Sequence, residues 1–256
     1  MPGMTRPAED FYIIAREAGA ENPAIPTWAC HSDNPAKLVE HYRAPVNRVE
    51  LQDVPGAFQL VNLLSADECG ALIKMSEALG YSEDAAVSLP RSVRHNHSFT
   101  WVADDATNQI IWERCQALMD DRQQCFGRQQ ALGLNARFRF YRYQQGDFFA
   151  PHTDGAWPGS RVIDNKLVHN AYHDRFSQLS FLIFLSDDFS GGATQFYVKA
   201  EDPGRGQATD IVDVRTPLGG ALAFPHGMHP LHCLHGSADI ISGQKYIIRS
   251  DVLFSN

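Results

Sequence analysis

The chain has no C-x-x-C pair, no long apolar run and no excess of basic charge. Its five cysteines (Cys30, Cys69, Cys115, Cys125 and Cys233) are odd in number and scattered, which excludes a paired disulfide framework and gives no thiolate zinc site. The strongest apolar stretch, residues 181–185, falls far short of the roughly 20 residues that span a bilayer. Near the N-terminus, Glu9, Asp10, Arg16 and Glu17 interrupt any apolar centre that a signal peptide would need. With 22 Lys+Arg against 30 Asp+Glu, the net charge of −8 argues against sequence-independent contact with nucleic acid or an anionic membrane. No G-x-S-x-G element occurs, and Gly204-Arg205-Gly206-Gln207 lacks the Lys-Ser/Thr of a phosphate loop and reads as a turn. A cytoplasmic protein with neither nucleic-acid nor membrane partners is the expectation.

What is present suffices for a folded protein. Of the 256 residues, 44% are hydrophobic and 20% charged, so a sizeable core can form. Residues 1–57 are rich in proline and read as an N-terminal arm carrying short helices, one over residues 33–41, on a main body at 58–256. Ser65 and Glu68 form an S-x-x-E capping box, and Gly80 is placed to stop the helix between them. A second helix is expected over residues 105–127, with Ile110, Ile111, Cys115, Leu118 and Met119 as its buried stripe. This helical support covers residues 58–135, with Trp101 and Trp112 read as core.

Beyond residue 136 the period changes from helical to extended. Residues 137–143 alternate, with Phe138 and Phe140 on one face and Arg137, Arg139, Tyr141 and Tyr143 on the other. Residues 178–185 are apolar on both faces, as in a strand buried on both sides. Further strands are expected at 194–198, 210–215, 220–224 and 244–254, separated by turns at Gly191-Gly192, Pro203-Gly204 and Gly219-Gly220. The class is α+β, with a β-sandwich or barrel at 136–254 carrying the site.

Two residues of one extended segment, His152 and Asp154, point to the same side and can occupy adjacent positions on one metal ion. A third ligand is needed, and His226, His229, His232 and His235 follow at three-residue intervals. Pro225, Gly227 and Pro230 prevent the helix that would align those four as a zinc site of their own. Lys245 opens a strand whose alternation puts Lys245, Ile247, Arg249 and Asp251 on one face. A cation there can anchor the distal carboxylate of a metal-bound dicarboxylic acid. Arg249 can share that task or pair with Asp251.

These residues resemble the iron(II)- and 2-oxoglutarate-dependent dioxygenases of the prolyl 4-hydroxylase type, over residues 58–254. His152-x-Asp154 matches the family's proximal ligand pair and His235 its distal histidine, with Lys245 at the expected ten-residue offset. Tyr143 stands where these enzymes keep a tyrosine beside the co-substrate. The segment 180–196, with Gly191-Gly192-Ala193-Thr194-Gln195-Phe196, and the strand 220–224 are similar to family elements as well.

The resemblance implies a distorted double-stranded β-helix (jelly roll) with supporting N-terminal helices. It implies Fe(II) as cofactor, 2-oxoglutarate and O2 as co-substrates, and ascorbate as an auxiliary reductant. His152, Asp154 and His235 would hold the metal, and Lys245, Tyr143 and Arg249 the 2-oxoglutarate. The presence of Asp154 favours hydroxylation over halogenation. The implied substrate is a prolyl or other amino-acid-like small molecule, or a peptide or protein. Arg139, Tyr141 and Arg94 are candidates for contacting it, if the face of residues 139–143 turns inward and the segment 91–96 is more than a charged surface loop. The polar stretch 155–177, with Trp157, His169, Tyr172 and His173, is placed to be a lid. A jelly roll that binds metal or ligand without turnover is the alternative.

Overall fold

The structure is a computed structural model that describes residues 7–84, 89–120, 126–127, 129–199 and 209–256. Cys125 and the turns expected at 203–207 lie outside the described residues.

The Pro-rich segment contributes strands rather than helices: β1 (Phe11–Glu17), β2 (Ile25–Cys30) and β3 (Asn47–Glu50). The helix expected over residues 33–41 is replaced by turns. Asn34 and Lys37 adopt left-handed φ values of 50° and 57°, and the Asn34 side chain accepts from the Leu38 N–H at 2.7 Å, a local bond that competes with helix. After β4 (Phe58–Val61) comes α1 (Ala66–Leu79). Ser65 and Glu68 make both bonds of the capping box, and Gly80 ends the helix with φ 84°. β5 (Arg94–His95) and β6 (His97–Val102) precede α2 (Asp105–Cys115). Asp104 caps α2, which is shorter than expected and tightens to a 3-10 turn at Gln116–Leu118. Strands β4 to β6 therefore share the region read as helical support.

The remaining strands are β7 (Ala131–Leu134), β8 (Arg137–Tyr143), β9 (Phe148–His152), β10 (Arg161–Ile163), β11 (Lys166–Val168) and β12 (Arg175–Phe184). They continue with β13 (Ser190–Gly191), β14 (Thr194–Lys199), β15 (Thr209–Val214), β16 (Ala221–Pro225), β17 (His235–Ser237), β18 (Ile240–Ser242) and β19 (Lys245–Ser255). The major sheet runs β1-β2-β6-β8-β19-β12-β16-β4-β3, with β7 also on β19; the minor sheet runs β15-β14-β17-β9-β5. β2 joins β6 in parallel, which ties the N-terminal hairpin into the major sheet.

Alternation along the central strands separates two cores. Phe138, Phe140, Phe181, Ile183, Ile248 and Val252 pack with Leu72 of α1 and Ile111 of α2. Tyr141, Tyr143, Leu182, Phe184 and Ile247 face the other way, onto Phe196 and Val214 of the minor sheet. Phe138, Phe140 and Phe181 are wholly buried, each contributing roughly 1.5–3 kcal/mol. The architecture is a distorted jelly roll backed by two helices. The same parity carries Lys245 and Arg249 into the space between the sheets.

Candidate active site

β9 and β17 pair with His152 opposite His235 in register, so the two imidazoles lie side by side, ring centroids 4.3 Å apart. Asp154 follows β9 and closes a triangle. Its Oδ1 is 3.7 Å from His152 Nε2 and its Oδ2 is 3.6 Å from His235 Nε2. One ligand atom from each residue lies within 4.8 Å of the others. His152 Nδ1–H donates to the Ala150 carbonyl at 2.9 Å and His235 Nδ1–H to the Cys233 carbonyl at 3.1 Å. A carbonyl only accepts, so these bonds fix the tautomer and leave both Nε2 lone pairs facing Asp154.

Protonation favours the same use. Burial, then the neighbouring His235, push His152 down to about 4. His235 is also lowered, chiefly by burial. Burial opposes ionisation of Asp154, but Arg249 and the two histidines outweigh it and hold the carboxyl well below its usual range. Two neutral imidazoles and one carboxylate on one side of a cavity form the donor set that suits a divalent iron with open positions.

The three positions named for the co-substrate converge on the same cavity, of about 220 Å³. Lys245, 1% exposed, donates from Nζ to the Gly192 carbonyl at 2.8 Å and to Ser237 Oγ at 3.0 Å. Tyr143 is its cross-strand partner, with the ring centroid 5.2 Å from Nζ. Burial, with Arg215 adding to it, pushes Lys245 down to about 7. Arg249 also lines the cavity, but its Nη2 lies 3.3 Å from Asp154 Oδ1 and 3.2 Å from Asp251 Oδ1. The bridge to Asp251 foreseen in the sequence is thus made, together with one to Asp154.

The remaining histidines divide by role. His229 Nδ1 accepts from the Leu231 N–H at 3.0 Å, and the exposed His232 bonds the His229 carbonyl at 3.0 Å. His226 differs, being 1% exposed with serines at both nitrogens. Ser180 Oγ–H donates to Asp154 Oδ2 at 2.5 Å. Its only hydroxyl proton being used, Ser180 must accept from His226 Nδ1–H at 2.9 Å, and His226 Nε2 then accepts from Ser177 Oγ at 2.9 Å. This Ser177–His226–Ser180 chain orients the Asp154 carboxylate. Sequence reading missed it; the one available signal was serine inside an otherwise apolar strand.

Arg139, Tyr141 and Arg94 all line the cavity, so the face of β8 shared with Tyr143 turns inward. Arg94 lies 5.7 Å from the ring centroids of Tyr141 and Phe149. Trp157, from the stretch read as a lid, joins the lining. Residues 161–168 of that stretch form the β10–β11 hairpin, anchored to α2 by Arg161 and Asp105.

No family model matches the chain, and no curated protein matches it in sequence. Among solved structures it is similar to a prolyl hydroxylase from Trichoplax adhaerens in complex with a peptide of the oxygen degradation domain of hypoxia inducible factor. The TM-score is 0.51 at 15% identity, over 77% of this chain and 83% of that one. A Pseudomonas putida prolyl-4-hydroxylase gives 0.50 at 16% identity, over 77% of this chain and 92% of that one. At these identities the likeness is one of fold.

Proposed function

We propose that the protein is an Fe(II)- and 2-oxoglutarate-dependent oxygenase that hydroxylates an unactivated C–H bond in a prolyl or other amino-acid-like substrate. The observation that carries this reading is one cavity with a His-Asp-His face on one wall and, on another, a buried lysine that has no carboxylate partner among the described residues. His152, Asp154 and His235 would hold the iron. Lys245 would hold the distal carboxylate of 2-oxoglutarate, with Tyr143 beside it. The bound iron supplies oxygen activation coupled to decarboxylation of 2-oxoglutarate to succinate and CO2, with ascorbate as auxiliary reductant. The chain itself supplies ligand orientation through the Nδ1 bonds and the Ser180 hydroxyl, and an apolar enclosure from Phe149, Leu182 and Ile247. We place the protein in the cytoplasm, which suits its four described cysteines, all unpaired; none of the described helices is long and apolar enough to cross a membrane.

The test is anaerobic addition of Fe(II) and then 2-oxoglutarate, watching for a visible metal-to-ligand charge-transfer band. The band is expected in the wild type, lost in His235→Ala, retained in His232→Ala, and formed only at higher 2-oxoglutarate in Lys245→Ala. A well-folded wild-type protein without the band would instead be a jelly roll that binds ligands without turnover.

A further inference from the structure

We infer that the substrate carries a carboxylate and that Arg139 holds it in this cavity, an inference that rests on the oxygenase reading. The cations around Arg139 have partners. Arg137 lies 2.6 Å from Glu17, and Arg249 is shared between Asp154 and Asp251. Lys245 bonds Gly192 and Ser237 and is assigned to the co-substrate. The Arg139 side chain makes no hydrogen bond or ion pair among the described residues. Its guanidinium lies 5.3 Å from the centroid of the Trp157 ring, and Arg249 is its cross-strand partner. Like charges at facing positions destabilise a sheet, and burial together with Arg249 lowers the Arg139 pKa.

An anion at Arg139 relieves that cost. Metal-bound 2-oxoglutarate already has Lys245, and Asp154 is committed to the metal, so the remaining positive charge falls to the substrate. The planar guanidinium presents paired N–H donors, a geometry that matches a carboxylate. The cavity of about 220 Å³ admits only a small group beside the co-substrate. The carboxylate can come from a free amino acid or from the C-terminus of a peptide.

The experiment uses anaerobic full-length protein loaded with Fe(II) and saturated with 2-oxoglutarate. It is titrated calorimetrically with the proteinogenic L-amino acids, their amides, and the corresponding glycyl dipeptides in acid and amide form. At least one acid is expected to bind, with its amide roughly 10- to 100-fold weaker. Arg139→Gln should bring the acid down to the affinity of the amide without changing that of 2-oxoglutarate, and Arg139→Lys should restore part of the difference. Tighter binding by free amino acids assigns the carboxylate to them; tighter binding by dipeptides assigns it to a peptide terminus. The inference is overturned if no acid binds, if acid and amide bind alike, or if Arg139→Gln leaves their difference intact. Weakened 2-oxoglutarate binding in Arg139→Gln also overturns it, by moving Arg139 to the co-substrate. If the charge-transfer band fails to form in wild-type protein, the oxygenase reading and this inference fall together; a band without acid–amide discrimination removes only the inference.

Discussion

Lys245, proposed to hold the co-substrate, shows what a single residue gives up in stability for such a role. An ammonium with no anionic partner among the described residues loses hydration that two neutral acceptors only partly replace, which is why its pKa falls to about 7. The unfolded chain, with lysine near its ordinary value of 10.5, binds more protons between about 7 and 10.5, so this group makes stability rise with pH across that window. A bound carboxylate reverses the preference. Binding of 2-oxoglutarate should take up close to one proton at about pH 8 and almost none at about pH 6. Calorimetry in buffers of different ionisation enthalpy measures this directly; equal uptake at both pH values would remove Lys245 from the co-substrate site. Lys245→Met should raise the melting temperature by a few degrees while weakening 2-oxoglutarate binding about 10-fold or more. His226 acts one bond further out. His226→Ala breaks the chain that orients Asp154 through Ser180, and Fe(II) affinity should fall roughly 10- to 100-fold with an unchanged circular-dichroism spectrum. Unaltered affinity would make His226 a packing residue. The triad and Lys245 were legible in the sequence because fixed offsets carry them. The Ser177–His226–Ser180 chain was not, because only the return of β12 beside the histidine loop brings those residues together.

Among the elements, α1 depends most on one side chain. Glu68 caps the helix through the Ser65 N–H at 2.8 Å, receives the Val39 N–H at 2.8 Å, and pairs with Arg114 of α2 at 2.7 Å. Arg114 in turn donates to the Leu63 and Val39 carbonyls. One carboxylate therefore joins α1, α2 and the N-terminal turns behind the major sheet. The capping role was readable from S-x-x-E spacing; the pairing with Arg114 was not, since 46 residues separate the two. Burial opposes ionisation of Glu68, yet Arg114 and the backbone donors hold its pKa below the ordinary 4.5. Its contribution is therefore fully present above pH 4.5 and is lost as pH falls through the lower folded value. Glu68→Ala leaves a buried guanidinium without its counter-charge and should cost about 3–5 kcal/mol in a urea denaturation series. The deficit should shrink when Arg114→Met is added, because the orphaned charge is then gone; strictly additive losses would mean that the two residues stabilise separate elements.

At the scale of the whole molecule, the strands after residue 136 were legible because a period of two is a strong signal where one strand face meets helices and the other meets a second sheet. The N-terminal strands were hidden by the prolines that surround them, and the parallel pairing of β2 with β6 leaves no local trace. That pairing decides what residues 11–30 do. They cover β6, place Phe11 edge-on to Trp101 at 5.7 Å, and supply Glu17 as the one counter-charge that Arg137 has among the described residues. An arm merely resting on the surface could be removed with little effect. A chain beginning at residue 31 would instead expose the edge of β6, a template for pairing between molecules, and leave the Arg137 side chain, only 8% exposed, without its partner. Such a truncated protein should run as aggregates on size exclusion and unfold at a lower temperature, although the proposed metal ligands and Lys245 lie entirely within the remaining sequence. Arg137→Met in the truncated chain should recover part of the stability by removing the orphaned charge, without restoring the monomer, because the open edge persists. A monodisperse truncated protein with an unchanged melting temperature would show that the jelly roll closes without its N-terminal strands.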